Sequence, residues 1–137
     1  MFGPFCKCLK RYNIDAKLRQ HFPHLALQGE ICGPKIQRNL LKLNKNTFYV
    51  FGVFDLKQQC WLSFDEMVVV CAKLGIPTVE FVQRGDCFAM DLKELLTLAE
   101  GVYPNTKNQR EGIVVRSIDR SISFKVISNA YRLKNDY

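Results

Sequence analysis

The chain has 137 residues, 47% of them hydrophobic, so it can bury one modest core and we expect a single domain over residues 1–137. Its formal net charge of +7 and pI near 9.2 favour polyanionic partners such as nucleic acid or nucleotide phosphates, although many proteins carry such charge on a solvated face. The sequence contains neither an apolar run as long as a membrane span nor the apolar centre of a signal peptide, so we expect no membrane partner.

The cysteines predict reduced thiols rather than a disulfide framework or a metal site. They are Cys6, Cys8, Cys32, Cys60, Cys71 and Cys87. Cys6 and Cys8 form a C-x-C without a second pair at zinc-finger spacing, and His21 and His24 have no cysteine nearby. Several of the others lie in apolar runs, where a thiol packs as a small hydrophobic group. We therefore expect a cytoplasmic location.

The first predicted element along the chain is a helix. Residues 1–12 show no clear period, and we expect them to lack regular structure. Asn13 can cap a short helix over Ile14–His21, because Ile14 and Leu18 lie one turn apart on the same face. Pro23 ends this helix.

Residues 25–31 predict a strand that carries Gln28 and Glu30 on one side. Gly33 and Pro34 end the strand, and a basic loop follows. The cations of this loop are Lys35, Arg38, Lys42 and Lys45.

Residues 47–56 are apolar on both faces, which predicts a central strand buried between layers. Strict alternation puts Tyr49, Phe51 and Val53 on one face and Phe48, Val50 and Phe54 on the other. Gly52 lies between them and favours the close approach of a ligand or another backbone. A short strand at residues 60–62 can pair back through a turn at 57–59.

Two S/D-x-x-E capping boxes predict the later helices. Ser63 and Glu66 open a helix that ends near Leu74 before Gly75, and residues 78–83 predict a strand. Asp91 and Glu94 open a second helix over residues 92–100, which Gly101 closes. A polar loop at 104–110 follows.

Residues 111–116 and 121–128 are rich in Ile, Val and Phe and predict a β-hairpin around a turn at 117–120. Antiparallel pairing would bring Glu111 and Lys125 opposite each other within one register step. The carboxylate and the ammonium could then hold a metal-bound polyanionic ligand, or form an ordinary surface ion pair. The basic tail 129–137 gives no clear element, and the whole pattern predicts an α+β chain of about six strands and three helices.

Four motifs occur in a fixed order: QGEICGPKIQRN at 28–39, FYVF within 47–56, EGIVVR at 111–116, and an FK pair ending at Lys125. This order resembles the covalent nucleotidyltransferases, which comprise the ATP-dependent DNA and RNA ligases and the mRNA capping enzymes. The chain is most similar to the ATP-dependent RNA ligase branch whose phage member seals nicks in duplex RNA. The resemblance covers residues 13–137 and implies a partial nucleotidyltransferase domain, ATP-grasp-like, with mainly antiparallel sheets and flanking helices.

The resemblance implies that Glu30 contacts the ribose hydroxyls of a bound adenylate, since a carboxylate accepts two hydrogen bonds from a vicinal diol. Gly33 would keep the backbone clear of the sugar. Phe51 matches the ring that stacks on adenine, and Phe54 is the alternative because the register is uncertain. Without the flanking motifs, both rings would be assigned to the core and Glu30 to the surface.

In the hairpin, the resemblance implies that Glu111 binds the catalytic Mg²⁺ or its water shell, alongside phosphate oxygens and water. Lys125 matches a lysine that contacts the α-phosphate of ATP, where positive charge stabilises the transition state. The implied cofactors are ATP and Mg²⁺, the implied partner is RNA, and no protein partner is identifiable. Gln28, Gln37 and Asn39 accompany the glutamate motif without an assigned role.

Three departures from the family pattern affect the nucleophile and the contacts to phosphate or the RNA end. The sequence has no K-x-[DH]-G, the motif whose lysine attacks ATP, and no match for the arginine that follows it in relatives. Ser123 stands where many relatives carry the first lysine of a K-x-K. We expect an N-terminally truncated ligase domain that cannot form the lysyl-adenylate alone. The alternatives are a non-catalytic adenylate- or RNA-binding module, and an α+β domain with accidental matches.

Overall fold

The computed structural model describes residues 3–85 and 88–135, so Cys87 and the ends of the chain lie outside the described residues. The helices are α1 Pro4–Tyr12, α2 Ile14–His21, α3 Phe64–Leu74, α4 Leu92–Ala99 and α5 Asn129–Asn135. The strands are β1 Leu25–Cys32, β2 Thr47–Asp55, β3 Cys60–Trp61, β4 Gly112–Arg116 and β5 Ser123–Ile127. The strands form two antiparallel sheets, β1-β2-β3 and β4-β5, which confirms the α+β class.

Over the same described residues, no helix combines the length and the apolar character that crossing a bilayer requires. The cysteines at positions 6, 8, 32, 60 and 71 are free thiols.

The chain divides into two compact units, each with its own core. The first comprises Met1–Asn39 and Leu43–Glu80, and the second comprises Leu40–Lys42 and Phe81–Tyr137. The expectation of a single domain stays a prediction.

The core of the first unit lies between one face of the β1-β2-β3 sheet and the helices. Val50 and Val53 of β2 and Met67 and Leu74 of α3 are almost completely buried. The capping box predicted for α3 is confirmed: the Ser63 hydroxyl accepts from the Glu66 N–H, and the Glu66 carboxylate accepts from the Ser63 N–H. Gly75 ends the helix in the left-handed conformation.

Our expectation that residues 1–12 lack regular structure was wrong for Pro4–Tyr12, which forms α1. Pro4 suits the first turn of a helix, because its ring fixes φ and its missing N–H needs no partner there. Cys8 is buried, and Tyr12, one turn later, packs against the core. The bounds of α2 were predicted correctly, but Asn13 lies in the left-handed region at φ 51° and makes no side-chain cap to α2.

Strand β2 is central, as predicted, but a β-bulge changes which side chains share a face. Gln28 pairs with Gly52 and Gly29 with Val50, so Phe51 is an extra residue on β2. The bulge shifts the alternation of side chains by one position, and Val53 consequently lies on the core face with Val50. Our assignment of Val53 to the face of Phe51, and of Phe54 to the face of Val50, was therefore wrong.

The strand predicted at 78–83 does not form. Strand β1 occupies one edge of β2, and residues 60–62 pair with the far end of the other edge, where the Leu62 N–H bonds the Val53 carbonyl at 2.9 Å. On that second edge of β2, residues 78–83 make only one parallel bridge, between Thr78 and Val50. Strand propensity alone did not suffice, because residues 80–83 have no sheet edge to pair with and are exposed.

In the second unit, α4 packs on the inner face of the β4-β5 hairpin. Leu95 and Ala99 of the helix meet Ile113 and Val126 of the strands. The predicted capping box is confirmed, because Asp91 and Glu94 bond each other's backbone N–H. The tail, to which the sequence assigned no element, begins with α5.

The hairpin forms as predicted, but its register differs. Val114, not Glu111, is the partner of Lys125, and the Glu111 carbonyl accepts from the Ser128 N–H at 2.9 Å. The predicted pairing of Glu111 and Lys125 within one register step was wrong. The position of the turn explains the difference. The Ser117 N–H still donates to the Ile122 carbonyl, so the turn begins after Ser117 and not, as we expected, after Arg116.

Candidate functional site

Glu111 and Lys125 are in contact even though they are not cross-strand partners. The Lys125 ammonium donates a hydrogen bond to Oε1 of Glu111, because the long lysine side chain reaches along the outer face of the hairpin. Both side chains remain accessible, at 37% exposure for Glu111 and 48% for Lys125. A ligand can therefore reach the carboxylate and the ammonium together.

The backbone of Glu111 is held on both sides. Its N–H donates to the Tyr103 hydroxyl at 3.4 Å, and its carbonyl accepts from the Ser128 N–H at 2.9 Å. The position of the carboxylate therefore depends on the loop that carries Tyr103 and on the end of β5.

A polar network around the buried Ser128 anchors this residue in turn. The Ser128 hydroxyl is fully buried, donates to the Glu100 carboxylate at 2.8 Å and accepts from the Gln109 amide at 3.2 Å. The Glu100 carboxylate also accepts from the N–H groups of Asn129 and Ala130. The hydrogen bond from Ser128, followed by these backbone bonds, holds the pKa of Glu100 below its usual value. Sequence reasoning missed this network, since its members lie up to 30 positions apart.

The outer face of the hairpin carries positive charge. Lys125 and Val114 share this face, while their neighbours Ile113 and Val126 point to α4. Ser123, at which the sequence departs from the expected K-x-K, pairs across the hairpin with Arg116. The guanidinium group of Arg116 therefore lies on the strand opposite Ser123, the position at which the sequence lacks the expected lysine.

In the first unit, Glu30 lies on the sheet face that points away from the core. It is exposed and pairs across the sheet with Tyr49. Cys32, two residues further along β1, shares this face. Burial, and secondarily the negative charge of Glu30, raises the pKa of the Cys32 thiol to about 11. Cys32 is therefore protonated near neutral pH and is not an activated nucleophile.

Both candidate aromatic rings lie on this outer face because of the bulge. Phe51 is the bulged residue and is half-buried. Phe54 pairs with Trp61 and contacts its ring edge-on, with centroids 5.1 Å apart. Gly52, between the two phenylalanines, adds no side chain. The choice between Phe51 and Phe54 as the stacking ring therefore stays open.

Gly33 has a structural requirement of its own. Its φ of +145° is unfavourable for other residues, and an added Cβ would lie 2.5 Å from the side-chain oxygen of Asn46 and 2.7 Å from its Cα. Its implied contact with a sugar stays a prediction. Asn39, to which the sequence gave no role, closes the following loop by exchanging two 3.0 Å hydrogen bonds with the backbone of Leu43.

The described residues do not supply all the ligands of a hard divalent cation, so phosphate oxygens and water would have to complete its coordination. Within residues 3–85 and 88–135, no three His, Cys, Asp or Glu side chains cluster as a metal site. The accessible carboxylate of Glu111 is compatible with Mg²⁺, which commonly takes one or two protein carboxylates and completes its shell with phosphate oxygens and water.

A shallow groove of about 610 Å³ runs along α4 in the second unit. Its lining consists of Met90, Lys93, Glu94, Thr97, Leu98, Glu100 and Arg110. It includes neither Glu111 nor Lys125. Arg110 and Glu100 are engaged there in structural contacts, since the Arg110 guanidinium caps the carbonyl of Ala99 at 3.1 Å. We therefore place the candidate site at the ion pair rather than in this groove.

Comparisons with known proteins agree with the sequence motifs. The family model described as RNA ligase matches residues 6–128. The solved structure of Naegleria gruberi RNA ligase with PPi has a TM-score of 0.87 and 30% identity, covering 98% of this chain and 41% of that one. A variant of that ligase with ATP and Mn gives a TM-score of 0.88 at 29% identity, covering 98% and 42%.

Another variant of the Naegleria gruberi ligase, with AMP and Mn, gives a TM-score of 0.82 at 32% identity, covering 93% of this chain and 39% of that one. The present chain thus spans about two-fifths of the length of the structures it matches. A comparison with curated proteins finds no significant match.

Proposed function

Because the chain belongs to the RNA ligase family, we propose that it forms part of an ATP-dependent RNA ligase that joins a 5′-phosphate to a 3′-hydroxyl RNA end. In the first step, a lysine attacks the α-phosphate of ATP and pyrophosphate leaves. In the second, an oxygen of the RNA 5′-phosphate attacks the phosphorus of the lysyl-adenylate, the new P–O bond forms, the P–N bond breaks and the lysine amine leaves. In the third, the 3′-hydroxyl attacks the activated 5′-phosphate, the phosphodiester forms and AMP leaves.

The contact between Glu111 and Lys125 is the observation that carries this proposal. The Lys125 ammonium is accessible and would donate to an α-phosphate oxygen, where it offsets the charge that develops during transfer. The Glu111 carboxylate orients the ammonium and would hold a divalent cation. When bound, this cation supplies positive charge to the phosphate oxygens.

The first unit would recognise the nucleoside. Glu30 is exposed on the outer face of its sheet, so its carboxylate is available to both ribose hydroxyls. The phenylalanine at 51 or 54 offers a ring for adenine on the same face. These residues bind and orient the nucleotide and transfer no proton.

The first step requires a nucleophile that the sequence does not supply in the K-x-[DH]-G form. We therefore expect this chain to bind ATP without becoming adenylated. The test is incubation with ATP labelled in the α-phosphate and Mg²⁺ or Mn²⁺, followed by denaturing electrophoresis. We expect no protein-bound label, and a labelled band would contradict this expectation.

The alternative is a non-catalytic adenylate- or RNA-binding module, which the missing first motif favours. The third step separates the two proposals, because it needs no lysine nucleophile. We would supply RNA whose 5′ end already carries AMP, together with an acceptor 3′-hydroxyl and a divalent cation. Joining with release of AMP supports the ligase, whereas binding without joining supports the module.

A further inference from the structure

We propose that the first unit carries a dedicated surface for the RNA phosphate backbone, which we call the α1–loop surface. It comprises the exposed cations of α1 and of the loop between β1 and β2 that belong to this unit. They are Lys7, Lys10, Arg11, Lys35, Arg38 and Lys45. The inference rests on the proposed function, since it takes RNA as the polyanion.

The two segments that form this surface contain no acidic residue. The first Asp or Glu of the chain is Asp15, so α1 is entirely free of carboxylates. The second acid-free stretch runs from Ile31 to Phe54 and includes the whole loop. The chain has 13 acidic residues in all, so their exclusion from these two segments gives both segments a net positive charge.

Asn46 brings the two segments together. The Cys8 thiol of α1 donates to the Asn46 carbonyl at 3.5 Å. Gly33, at the start of the loop, packs so closely on Asn46 that it has no room for a side chain. The helix and both ends of the loop therefore meet around one residue, and on this adjacency we base the assignment of their cations to one surface.

Helix α1 presents its cations on one face. Lys7, Lys10 and Arg11 lie at i, i+3 and i+4, which places them side by side on a helix. The opposite side of α1 packs on the core through Cys8 and Tyr12. Packing thus fixes the orientation of the basic face towards solvent.

The backbone of the loop is held by its own hydrogen bonds. One turn bonds the Ile36 N–H to the Gly33 carbonyl and the next bonds the Asn39 N–H to the Ile36 carbonyl, both at 3.1 Å. Asn39 and Leu43 then close the loop with their reciprocal hydrogen bonds. A backbone held in this way loses less conformational entropy on binding than an open loop, which lowers the ordering cost that offsets the attraction between its cations and a phosphate.

The number and arrangement of these charges favour a nucleic acid strand over a single nucleotide. Several exposed lysines and arginines on two adjacent segments suit consecutive phosphates, which bind mainly by electrostatic attraction and release of counterions. Phosphate contacts of this kind position a strand without reading its sequence.

The test compares two triple variants of the 137-residue chain, each of which removes three positive charges from the first unit. The surface variant carries Lys7→Gln, Lys35→Gln and Lys45→Gln. The matched control carries Arg19→Gln, Lys57→Gln and Lys73→Gln, all exposed in the same unit. Affinity for a fluorescent single-stranded RNA oligonucleotide is measured over a series of salt concentrations. Thermal unfolding confirms that both variants fold.

We expect the slope of log affinity against log salt to become shallower by about 2 for the surface variant, at about 0.7 per lost phosphate contact. The control should keep the wild-type slope. Equal changes in both variants, unchanged binding in the surface variant, or no RNA binding by the wild type would each overturn the proposal. ATP affinity, measured on the same proteins, separates this outcome from failure of the proposed function, because the surface variant should bind ATP like the wild type.

Discussion

The contact between Glu111 and Lys125 should contribute little to stability and much to nucleotide binding. Both side chains are more than a third exposed, so solvent screens their attraction. Exposed ion pairs of this kind stabilise a fold by about 0.2–1 kcal/mol. A hydrogen bond from an ammonium to a phosphate is stronger, at about 1.5–3 kcal/mol, which corresponds to about 10- to 100-fold in affinity.

A double-mutant cycle measures the first quantity directly. Glu111→Gln, Lys125→Gln and the double variant are unfolded in urea, and the coupling energy is obtained from the four free energies of unfolding. Titration with ATP and Mn²⁺ measures the second quantity on the same proteins. A coupling energy above about 2 kcal/mol would refute the argument from solvent exposure. Wild-type ATP affinity in both single variants would refute the functional role.

Three further predictions follow from single positions. Gly112→Ala should lower the free energy of unfolding by at least about 2 kcal/mol, because its φ is +150° and a Cβ would lie 2.0 Å from a β5 carbonyl oxygen; Gly3→Ala, with nothing within 4 Å, is the control. Backbone N–H groups of the β2-β3 turn, chiefly that of residue 58, hold the pKa of Asp55 below its usual value. The stability that these hydrogen bonds contribute is therefore fully present above the pKa that Asp55 has in the unfolded chain. It is lost as the pH falls through the lower pKa that Asp55 has in the folded chain. Below about pH 4, wild-type melting temperatures should therefore fall more steeply than those of Asp55→Asn, and parallel curves would contradict the assignment. Of Phe51→Leu and Phe54→Leu, one should weaken ATP binding by about 5- to 100-fold, as expected for loss of base stacking, and equal affinities in titrations would exclude both rings.

Local signals in the sequence predicted the elements that local interactions determine. The capping boxes at Ser63 and Asp91 gave the starts of α3 and α4, because the partner of each cap lies three positions away. The apolar run around Val50 gave the central strand, because burial on both faces leaves a continuous hydrophobic pattern.

Features that depend on alignment between strands could not be predicted. The bulge at Phe51 exists only because β1 pairs with β2 in a particular register, and it moved Phe54 to the outer face. The hairpin register likewise depended on where its turn closes, yet Lys125 reached Glu111 through its length. The network around Ser128 joins distant segments and left no local pattern.

The candidate site was predicted from motif order rather than from fold physics. Glu30 and Phe51 do share the outer face of one sheet, and Glu111 and Lys125 do meet on one hairpin. No single stretch would have distinguished these residues from an ordinary surface acid, a core ring and an exposed ion pair.

The central claim is that Glu30, Phe51, Glu111 and Lys125 contribute to the binding of an adenylate. The most direct measurement is a calorimetric titration of ATP with Mn²⁺ into the wild-type chain and into Glu30→Gln, Phe51→Leu, Glu111→Gln and Lys125→Gln. The account predicts saturable binding by the wild type and clearly weaker binding by the glutamate and lysine variants, about tenfold for the loss of one hydrogen bond to a charged group. No binding by the wild type, or unchanged affinity in all four variants, would contradict it.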